Sequence, residues 1–149
     1  MIGLLQRVQS AAVSVAGEPI AAIGPGLLVL VGVQRGDSQR EVRRLLERLL
    51  GYRVFPDAED RMNLSLQDSG GGLLLVPQFT LAADTSSGMR PSFTPAADPE
   101  TGERLFMQLV AMAEQQHSPV GCGRFGADMQ LALVNDGPVT FWLEVSPAG

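Results

Sequence analysis

The segment MQLALVNDGPVTFWLEV, residues 129–145, decides how this chain folds. Apolar residues alternate in two runs, first Met129, Leu131 and Leu133, then Val139, Phe141, Leu143 and Val145. Such alternation is typical of β-strands that bury one face. Between the runs stands Asn135-Asp136-Gly137-Pro138, a set of residues that favours tight turns. The sequence therefore predicts a β-hairpin whose turn is formed by these four residues.

Six earlier stretches rich in Val, Leu and Ile predict further strands. They are residues 2–9, 11–16, 19–23, 27–33, 63–66 and 73–76. Ser38 and Glu41 form a capping box ahead of an amphipathic helix that ends near Gly51. Asp98-Pro99 predicts the start of a second amphipathic helix. This order of elements predicts an α+β fold, a single domain over residues 1–149, with a largely antiparallel, barrel-like sheet and two main helices packed against it.

The charged residues limit the chemistry. All eleven cationic side chains are arginine, and the net charge is −5. The lack of lysine excludes Schiff-base chemistry and a P-loop. An acidic chain is not expected to coat nucleic acid, although a local arginine patch that grips one end of an RNA is still compatible with this composition. The outer face of the first predicted helix carries Arg40, Arg43, Arg44 and Glu47, a pattern that usually indicates only a solvated surface.

Three features indicate where the protein works. The first seven residues lack the charged region and the cleavage site of a signal peptide. The longest apolar run, residues 26–33, is far shorter than the ~20 residues of a membrane span. The single cysteine, Cys122, cannot form an internal disulfide, which suits a reducing compartment. We therefore expect a cytoplasmic protein with no membrane association.

Few side chains in this chain can take up a proton near neutral pH. The one histidine, His117, follows the second predicted helix, where a cation suits the helix dipole. With one histidine and one cysteine, the sequence predicts neither a metal site nor a cofactor. An enzyme built on this sequence would position groups and polarise bonds, and its substrate would have to supply part of the catalysis.

The motif Gln78-Phe79-Thr80-Leu81 ends an apolar run and offers a hydroxyl at a strand end. By propensity alone Thr80 would only close a strand. The motif is followed by residues 84–95, which are rich in Ser, Thr, Pro and Gly and predict a long loop. Long loops in compact domains are often functional.

Taken together, these segments resemble the D-aminoacyl-tRNA deacylases, called D-tyrosyl-tRNA deacylases in older naming. The likeness extends over residues 1–145. It rests on Met1-Ile2, Gln6-Arg7-Val8, Gly26-Leu27-Leu28-Val29-Leu30, Gly51-Tyr52-Arg53, Met62-Asn63-Leu64, Gln78-Phe79-Thr80-Leu81, Met89-Arg90-Pro91-Ser92-Phe93, Gly123-Arg124-Phe125 and Asn135-Asp136-Gly137-Pro138-Val139-Thr140. Each piece is weak by itself, but all of them in this order are highly specific.

The resemblance implies a cofactor-free esterase that cleaves D-amino acids, and also glycine, from tRNA. It implies a homodimer with two active sites at its interface. Gln78, Phe79 and Thr80 would line the pocket around the 3′-terminal adenosine and the ester, and the ribose 2′-hydroxyl would take part in catalysis. This role of the substrate agrees with the scarcity of bases in the chain.

The resemblance also implies how D- and L-residues are told apart. A cis Gly137-Pro138 dipeptide would enter the partner subunit's pocket, and its backbone carbonyls would refuse an L-residue by clash. Arg7, Asn135 and Thr140 would support this segment. The family pattern begins its first motif with serine, where this chain has Pro77, so any role of that serine hydroxyl is absent here.

Two other functions remain open from the residues. One is a hydrolase of small esters or amides on the same scaffold. The other is a dimeric module that binds nucleotides or RNA ends without catalysis. Hydrolysis of D-aminoacyl-tRNA, but not of simple D-amino-acid esters, would separate the first function from both.

Overall fold

The computed structural model describes residues 1–147. Its strands are β1 (Ile2–Val15), β2 (Glu18–Ile23), β3 (Gly26–Gly32), β4 (Phe55–Pro56), β5 (Met62–Leu64), β6 (Gly72–Pro77), β7 (Val120–Cys122) and β8 (Gln130–Glu144). Its helices are α1 (Gln39–Gly51), α2 (Leu66–Ser69) and α3 (Pro99–Gln116), together with a 3-10 turn at Phe79–Ala82. The predicted class is confirmed, because the chain forms one domain with a nearly closed, barrel-like sheet and helices packed on it.

The main sheet is built around β1. This strand pairs with β8 along one edge, and with β3 and then β2 along the other, always antiparallel. The sheet continues from β3 through β6 to β7 in two parallel pairings. The prediction of largely antiparallel pairing therefore holds around β1, whereas the far side of the sheet is parallel. The helical segments between β3, β6 and β7 supply the long connections that parallel neighbours need.

The predicted hairpin at the end of the chain is wrong. Residues Gln130–Glu144 form one strand of 15 residues, and both of its halves pair with β1. The register runs from Gln6 opposite Thr140 to Val8 opposite Asn135, so residues 136–139 bulge out opposite Arg7. Turn residues provide unusual backbone angles in a bulge as readily as in a chain reversal. The sequence could not distinguish a bulge from a chain reversal, because a bulge needs one partner strand long enough to pair on both of its sides. The sequence predicts two short strands at residues 2–9 and 11–16, whereas β1 is one strand of 14 residues.

The helices follow their sequence signals. Ser38 caps α1 with the full capping box, and the side chain of Asp98 accepts a hydrogen bond from the Thr101 N–H at the start of α3. The apolar faces of both helices pack on the same core as β1, β3 and β6, through residues that include Leu45, Leu49, Leu105, Phe106 and Leu109. The predicted strand at residues 63–66 is shorter than expected, because Ser65 caps the one-turn helix α2. No helix within residues 1–147 is both long and apolar enough to cross a membrane.

The amino group of Met1 is buried and bound by acidic and amide groups. It donates to Asp37 Oδ1 at 3.0 Å, to Gln34 Oε1 at 3.0 Å and to the carbonyl of Val145 at 2.7 Å. The side chains of Met1 and Asp37 are both fully inaccessible to solvent. Burial raises the pKa of Asp37, while the Gln34 N–H and the ammonium group act in the opposite direction. This ion pair ties the start of β1 to the segment before α1 and to the chain after β8.

Replacing Asp37 by asparagine is expected to lower the free energy of unfolding by about 3–5 kcal/mol, because the Met1 ammonium would stay buried without its counter-charge. Urea denaturation at neutral pH measures the change. The matched control is Glu59→Gln, which removes an exposed carboxylate 3.7 Å from Arg61 and should change stability by less than about 0.5 kcal/mol. Equal unfolding midpoints for Asp37→Asn and the unmodified protein would contradict the expectation.

Candidate functional site

The first candidate segment lies where β6 ends. After Pro77 the chain leaves the sheet and forms the 3-10 turn that contains Phe79 and Thr80. The Gln78 N–H donates to the Val31 carbonyl at 2.7 Å, which fixes this turn against the end of β3. The start of the turn faces outward, since Phe79 and Thr80 are exposed and Gln78 is half-buried, whereas Ala82 at its end is buried.

The hydroxyl of Thr80 is held by its neighbour. The Gln78 side-chain amide donates a hydrogen bond to Thr80 Oγ1. A hydroxyl oxygen that accepts from an amide keeps its own hydrogen free to donate. An amide is no base, so this contact orients Thr80 and does not activate it as a nucleophile.

Phe79 offers an aromatic surface beside this hydroxyl. Its ring is 56% exposed. It packs on Phe93, from the long loop after the turn, with ring centroids 5.2 Å apart. This pairing connects the loop of residues 84–95 to the candidate site.

A cavity of about 290 Å³ opens beside Gln78 and Phe79. Its opposite wall is the segment from Phe125 to Met129, with Asp128 contributing a carboxylate. Gly123 lets this segment approach closely, because a Cβ atom there would lie 2.8 Å from Met129 Sδ. The volume suits part of a small ligand, near the lower end of the range for binding sites.

The second candidate segment is the bulge of β8. The Gly137-Pro138 peptide bond is cis, as expected, and both residues are exposed. Gly137 has φ +131°, and a Cβ atom there would lie 2.7 Å from Val139 Cγ2. Only glycine fits this position without displacing its neighbours.

Arg7 holds the bulge from β1. Its Nε donates to the Asp136 carbonyl at 3.2 Å, and its Nη1 donates to the Val54 carbonyl at 2.7 Å. The Asp136 carboxylate lies 3.4 Å from the same Nε, and the arginine side chain is only 12% exposed. A planar guanidinium that bonds to two carbonyls fixes their relative positions in a way that lysine could not.

Asn135 closes the bulge from inside. Its Nδ2 donates to the Arg7 carbonyl at 2.8 Å and to the Val139 carbonyl at 3.0 Å. The Thr140 hydroxyl donates to Asn135 Oδ1 and accepts from Gln6 Nε2, both at 3.4 Å. Arg7, Asn135 and Thr140 thus lie around Gly137-Pro138: Arg7 and Asn135 bind its flanking backbone, and Thr140 binds the Asn135 side chain.

Within one chain the two segments lie apart. The strand order β8-β1-β3-β6 puts two strands between the bulge of β8 and the turn that follows β6. The cavity beside Gln78 is lined by no residue of the bulge. The structure therefore groups Gln78, Phe79 and Thr80 in one place, and Arg7, Asn135, Thr140 and Gly137-Pro138 in another.

The remaining titratable candidates lie elsewhere. His117 ends α3, with its Nε2 2.6 Å from the carbonyl of Gly71, so the predicted position at the helix end is confirmed. Burial, with a smaller contribution from Glu114, raises the pKa of the Cys122 thiol and keeps it in the poorly nucleophilic neutral form. Among residues 1–147, no three His, Cys, Asp or Glu side chains are grouped closely enough to hold a metal ion.

Sequence reasoning missed two parts of the site. Ala127, Asp128 and Met129 line the cavity, although Met129 was expected only as a strand residue. Phe93 packs on Phe79, a contact that its position at the end of the motif Met89-Arg90-Pro91-Ser92-Phe93 does not predict. The signals that could have pointed to them are Gly123 and Gly126, which bracket a tight segment, and the length of the loop that carries Phe93.

The chain is similar to curated proteins over nearly its whole length. "D-aminoacyl-tRNA deacylase" from Thioalkalivibrio sulfidiphilus is 67% identical over 99% of both chains. The protein of the same name from Methylococcus capsulatus is 66% identical over 99% of this chain and 96% of its own.

Two solved structures share the fold. The structure described as "c-Myc DNA Unwinding Element Binding Protein" is 38% identical, covers 99% of this chain and all of its own, and has a TM-score of 0.93. That of "a probable eukaryotic D-amino acid tRNA deacylase" is 17% identical, covers 97% of this chain and 98% of its own, and has a TM-score of 0.79.

A model of the family "D-Tyr-tRNA(Tyr) deacylase" matches residues 4–144. The resemblance found in the motifs is thereby confirmed at the level of the whole chain, and this protein belongs to the D-Tyr-tRNA(Tyr) deacylase family.

Proposed function

We propose that this protein hydrolyses the ester bond of D-aminoacyl-tRNA in the cytoplasm, without a cofactor, and releases free tRNA and the D-amino acid. The observation that carries the proposal is the match, over almost the full chain, to relatives named for this activity. The exposed turn with Phe79 and Thr80 beside a cavity gives a place for the terminal nucleotide and its ester. By this activity the protein would recycle tRNA and keep D-residues out of translation.

The geometry of the turn supports a positioning role for Thr80. Among residues 1–147, the N–H groups of Phe79 and Thr80 make no hydrogen bond, because they begin the 3-10 turn and Gln78 provides no side-chain cap. Two such donors suit the oxygen of an ester carbonyl as negative charge develops on it. The hydroxyl of Thr80, oriented by Gln78, would donate to the substrate or to the attacking water, and Phe79 would stack on the terminal adenine.

Water is the nucleophile in this proposal. It attacks the ester carbon, the bond from that carbon to the 3′ oxygen of the ribose breaks, and the water proton passes to the 3′ oxygen. The neighbouring 2′-hydroxyl of the tRNA relays this proton. The chain itself offers little that could replace it, because Cys122 is a neutral thiol and His117 is bound at the end of α3.

The bulge of β8 is proposed to select the D-configuration. Both enantiomers bury the same atoms, so burial alone cannot separate them. Backbone carbonyls on a rigid wall can exclude one enantiomer by clash. Arg7 and Asn135 make the Gly137-Pro138 segment rigid enough for this role. Glycine has no side chain to clash, and glycyl-tRNA is therefore also a proposed substrate.

A homodimer would bring the two segments together. Among the strands of residues 1–147, only β1 pairs with β8, so the other edge of this 15-residue strand is free. Its exposed side chains include Val134 and Trp142, each 50% accessible. Long, partly apolar edges are usually covered. A two-fold interface formed through β8 would carry each Gly137-Pro138 segment towards the partner's Thr80 and give two equivalent sites.

Purified protein is expected to deacylate D-tyrosyl-tRNA and glycyl-tRNA, to leave L-tyrosyl-tRNA largely intact, and to work equally well with a metal chelator present. Release of labelled amino acid measures the rates. D-tyrosine ethyl ester serves as the control substrate and should not be hydrolysed. Hydrolysis of this simple ester would favour a general esterase, and binding of tRNA without hydrolysis would favour a non-catalytic module.

Thr80→Ala is expected to retain measurable activity, since a positioning group differs in this respect from an obligate nucleophile. D-tyrosyl-tRNA that ends in 2′-deoxyadenosine should react far more slowly with the unmodified protein. Single-turnover assays with both substrates test the two statements, with Thr80→Ser as the variant that keeps the hydroxyl. A covalent aminoacyl adduct on Thr80, or full activity on the deoxy substrate, would refute the mechanism.

The shared site is tested by mixing two variants of low activity. Gln78→Ala/Thr80→Ala removes the groups of the turn, and Gly137→Ala displaces the bulge through its Cβ clash. If each site takes the turn from one subunit and the bulge from the other, a mixed dimer contains one intact site. Random re-association should then restore about a quarter of the full activity. Activity that never exceeds the mean of the two separate variants would argue against a shared site.

A further inference from the structure

We propose that a groove on α1, formed by Arg40, Arg43 and Arg44, binds phosphates of the tRNA acceptor arm while the 3′ end occupies the site. This arginine groove is the second contact of the same substrate, so the inference rests on the proposed function. A solvated helix face was the default expectation for these side chains. Three features of the structure argue for a binding surface.

The first feature is the separation of charge along this segment. Five of the eleven arginines lie between Arg35 and Arg48, in a protein of net charge −5. The two carboxylates at the start of the segment are turned inward. Asp37 is bound to the Met1 ammonium, and Glu41 accepts from the Ser38 N–H at 2.7 Å and from its hydroxyl at 2.6 Å. Four of these arginines, all except the half-buried Arg48, are exposed, while these two anions are buried.

The second feature is that the arginines share one concave surface. Arg40, Arg43 and Arg44 line a groove of about 440 Å³, together with the largely buried Glu41, with Glu47, and with Val145 and Ser146 from the end of the chain. Glu47 borders this groove and lies 3.0 Å from Arg44 in an exposed ion pair. Such exposed pairs contribute little to stability, so the Arg44 guanidinium can exchange this partner for a phosphate at little cost. Guanidinium groups suit phosphate because they donate two parallel hydrogen bonds.

The third feature is a series of contacts from the turn with Phe79 to the segment that precedes α1. Phe79 packs on Phe93, and two residues further on the Pro95 carbonyl accepts from the Arg35 N–H at 3.0 Å. Arg35 is exposed and stands four residues ahead of α1. The helix of 13 residues then extends for about 20 Å. A tRNA whose last base stacks on Phe79 therefore meets cations beyond the loop that carries Phe93.

Because the rest of the protein is acidic, the arginine groove would favour one orientation of the bound tRNA. Phosphate contacts give affinity and register without reading sequence. An RNA helix would be repelled by most of the surface and attracted where the arginines cluster. An acceptor arm in the arginine groove would bring its single-stranded 3′ end towards the site, and it would do so for any tRNA.

Arg40→Gln and Arg43→Gln are expected to raise the KM for D-tyrosyl-tRNA roughly tenfold each, with little change in kcat. Between about 50 and 200 mM salt, each variant should also reduce the slope of log KM against log salt by about one. The second substrate is D-tyrosyl-adenosine, which contains no phosphate, and its hydrolysis should be unchanged in both variants. The control is Arg61→Gln, which removes an exposed arginine from the loop between β4 and β5 and should alter neither measurement.

The outcomes separate this inference from the proposed function. If the unmodified protein hydrolyses neither substrate, the proposed function fails. The inference fails in another case, in which the unmodified protein hydrolyses both D-tyrosyl-tRNA and D-tyrosyl-adenosine. If Arg40→Gln and Arg43→Gln then keep its KM for the tRNA and its salt slope, the arginine groove does not contact tRNA. An equal loss of kcat/KM on D-tyrosyl-tRNA and on D-tyrosyl-adenosine would also overturn the inference, because the variants would then be disturbing the turn that contains Phe79 and Thr80.

Discussion

The pairing of β1 with β8 is the constraint on which the rest of the structure depends. β1 pairs with β2, β3 and β8, and β8 follows it along almost its full length. The ladder is broken opposite Arg7, where extra residues of β8 bulge outward. Because β8 pairs with β1 on both sides of the bulge, although in a shifted register, the bulge is held at two ends, and Arg7 and Asn135 fix it from within. A flexible hairpin tip could not provide a rigid backbone wall, whereas a bulge inside a long strand can.

The site combines rigid backbone with a weak set of side chains. Thr80 accepts a hydrogen bond from an amide and, within the described part of the chain, contacts no base, and the partly buried thiol of Cys122 is held in its neutral form. In the proposed mechanism, hydrolysis on such a surface depends on oriented donors and on a proton relay that the RNA substrate brings with it. An ester without the neighbouring hydroxyl would lack part of this apparatus, and the mechanism therefore predicts a preference for tRNA over simple esters.

The distribution of charge would allow this acidic protein to bind RNA through the proposed arginine groove. Burial of Asp37 and Glu41 serves the fold, because one binds the chain start and the other caps α1. The same burial leaves the arginines of that segment as the outward charge. Stability and the proposed recognition of tRNA are thus connected through α1, whose inner face packs in the core and whose outer face carries exposed arginines.

The sequence by itself determined the fold class, both long helices with their caps, the core strands and the family, because these depend on local periodicity, capping residues and motif order. It also determined that no strong base is available, since that follows from composition. Only the tertiary structure decided that Gln130–Glu144 forms one bulged strand in place of a hairpin. Asn, Asp, Gly and Pro suit both arrangements, and the choice depends on whether a long enough partner strand lies alongside. The cavity wall at residues 125–129, the contact of Phe93 with Phe79 and the separation of Thr80 from Gly137-Pro138 were likewise decided by the fold, because each depends on contacts between segments far apart in the chain.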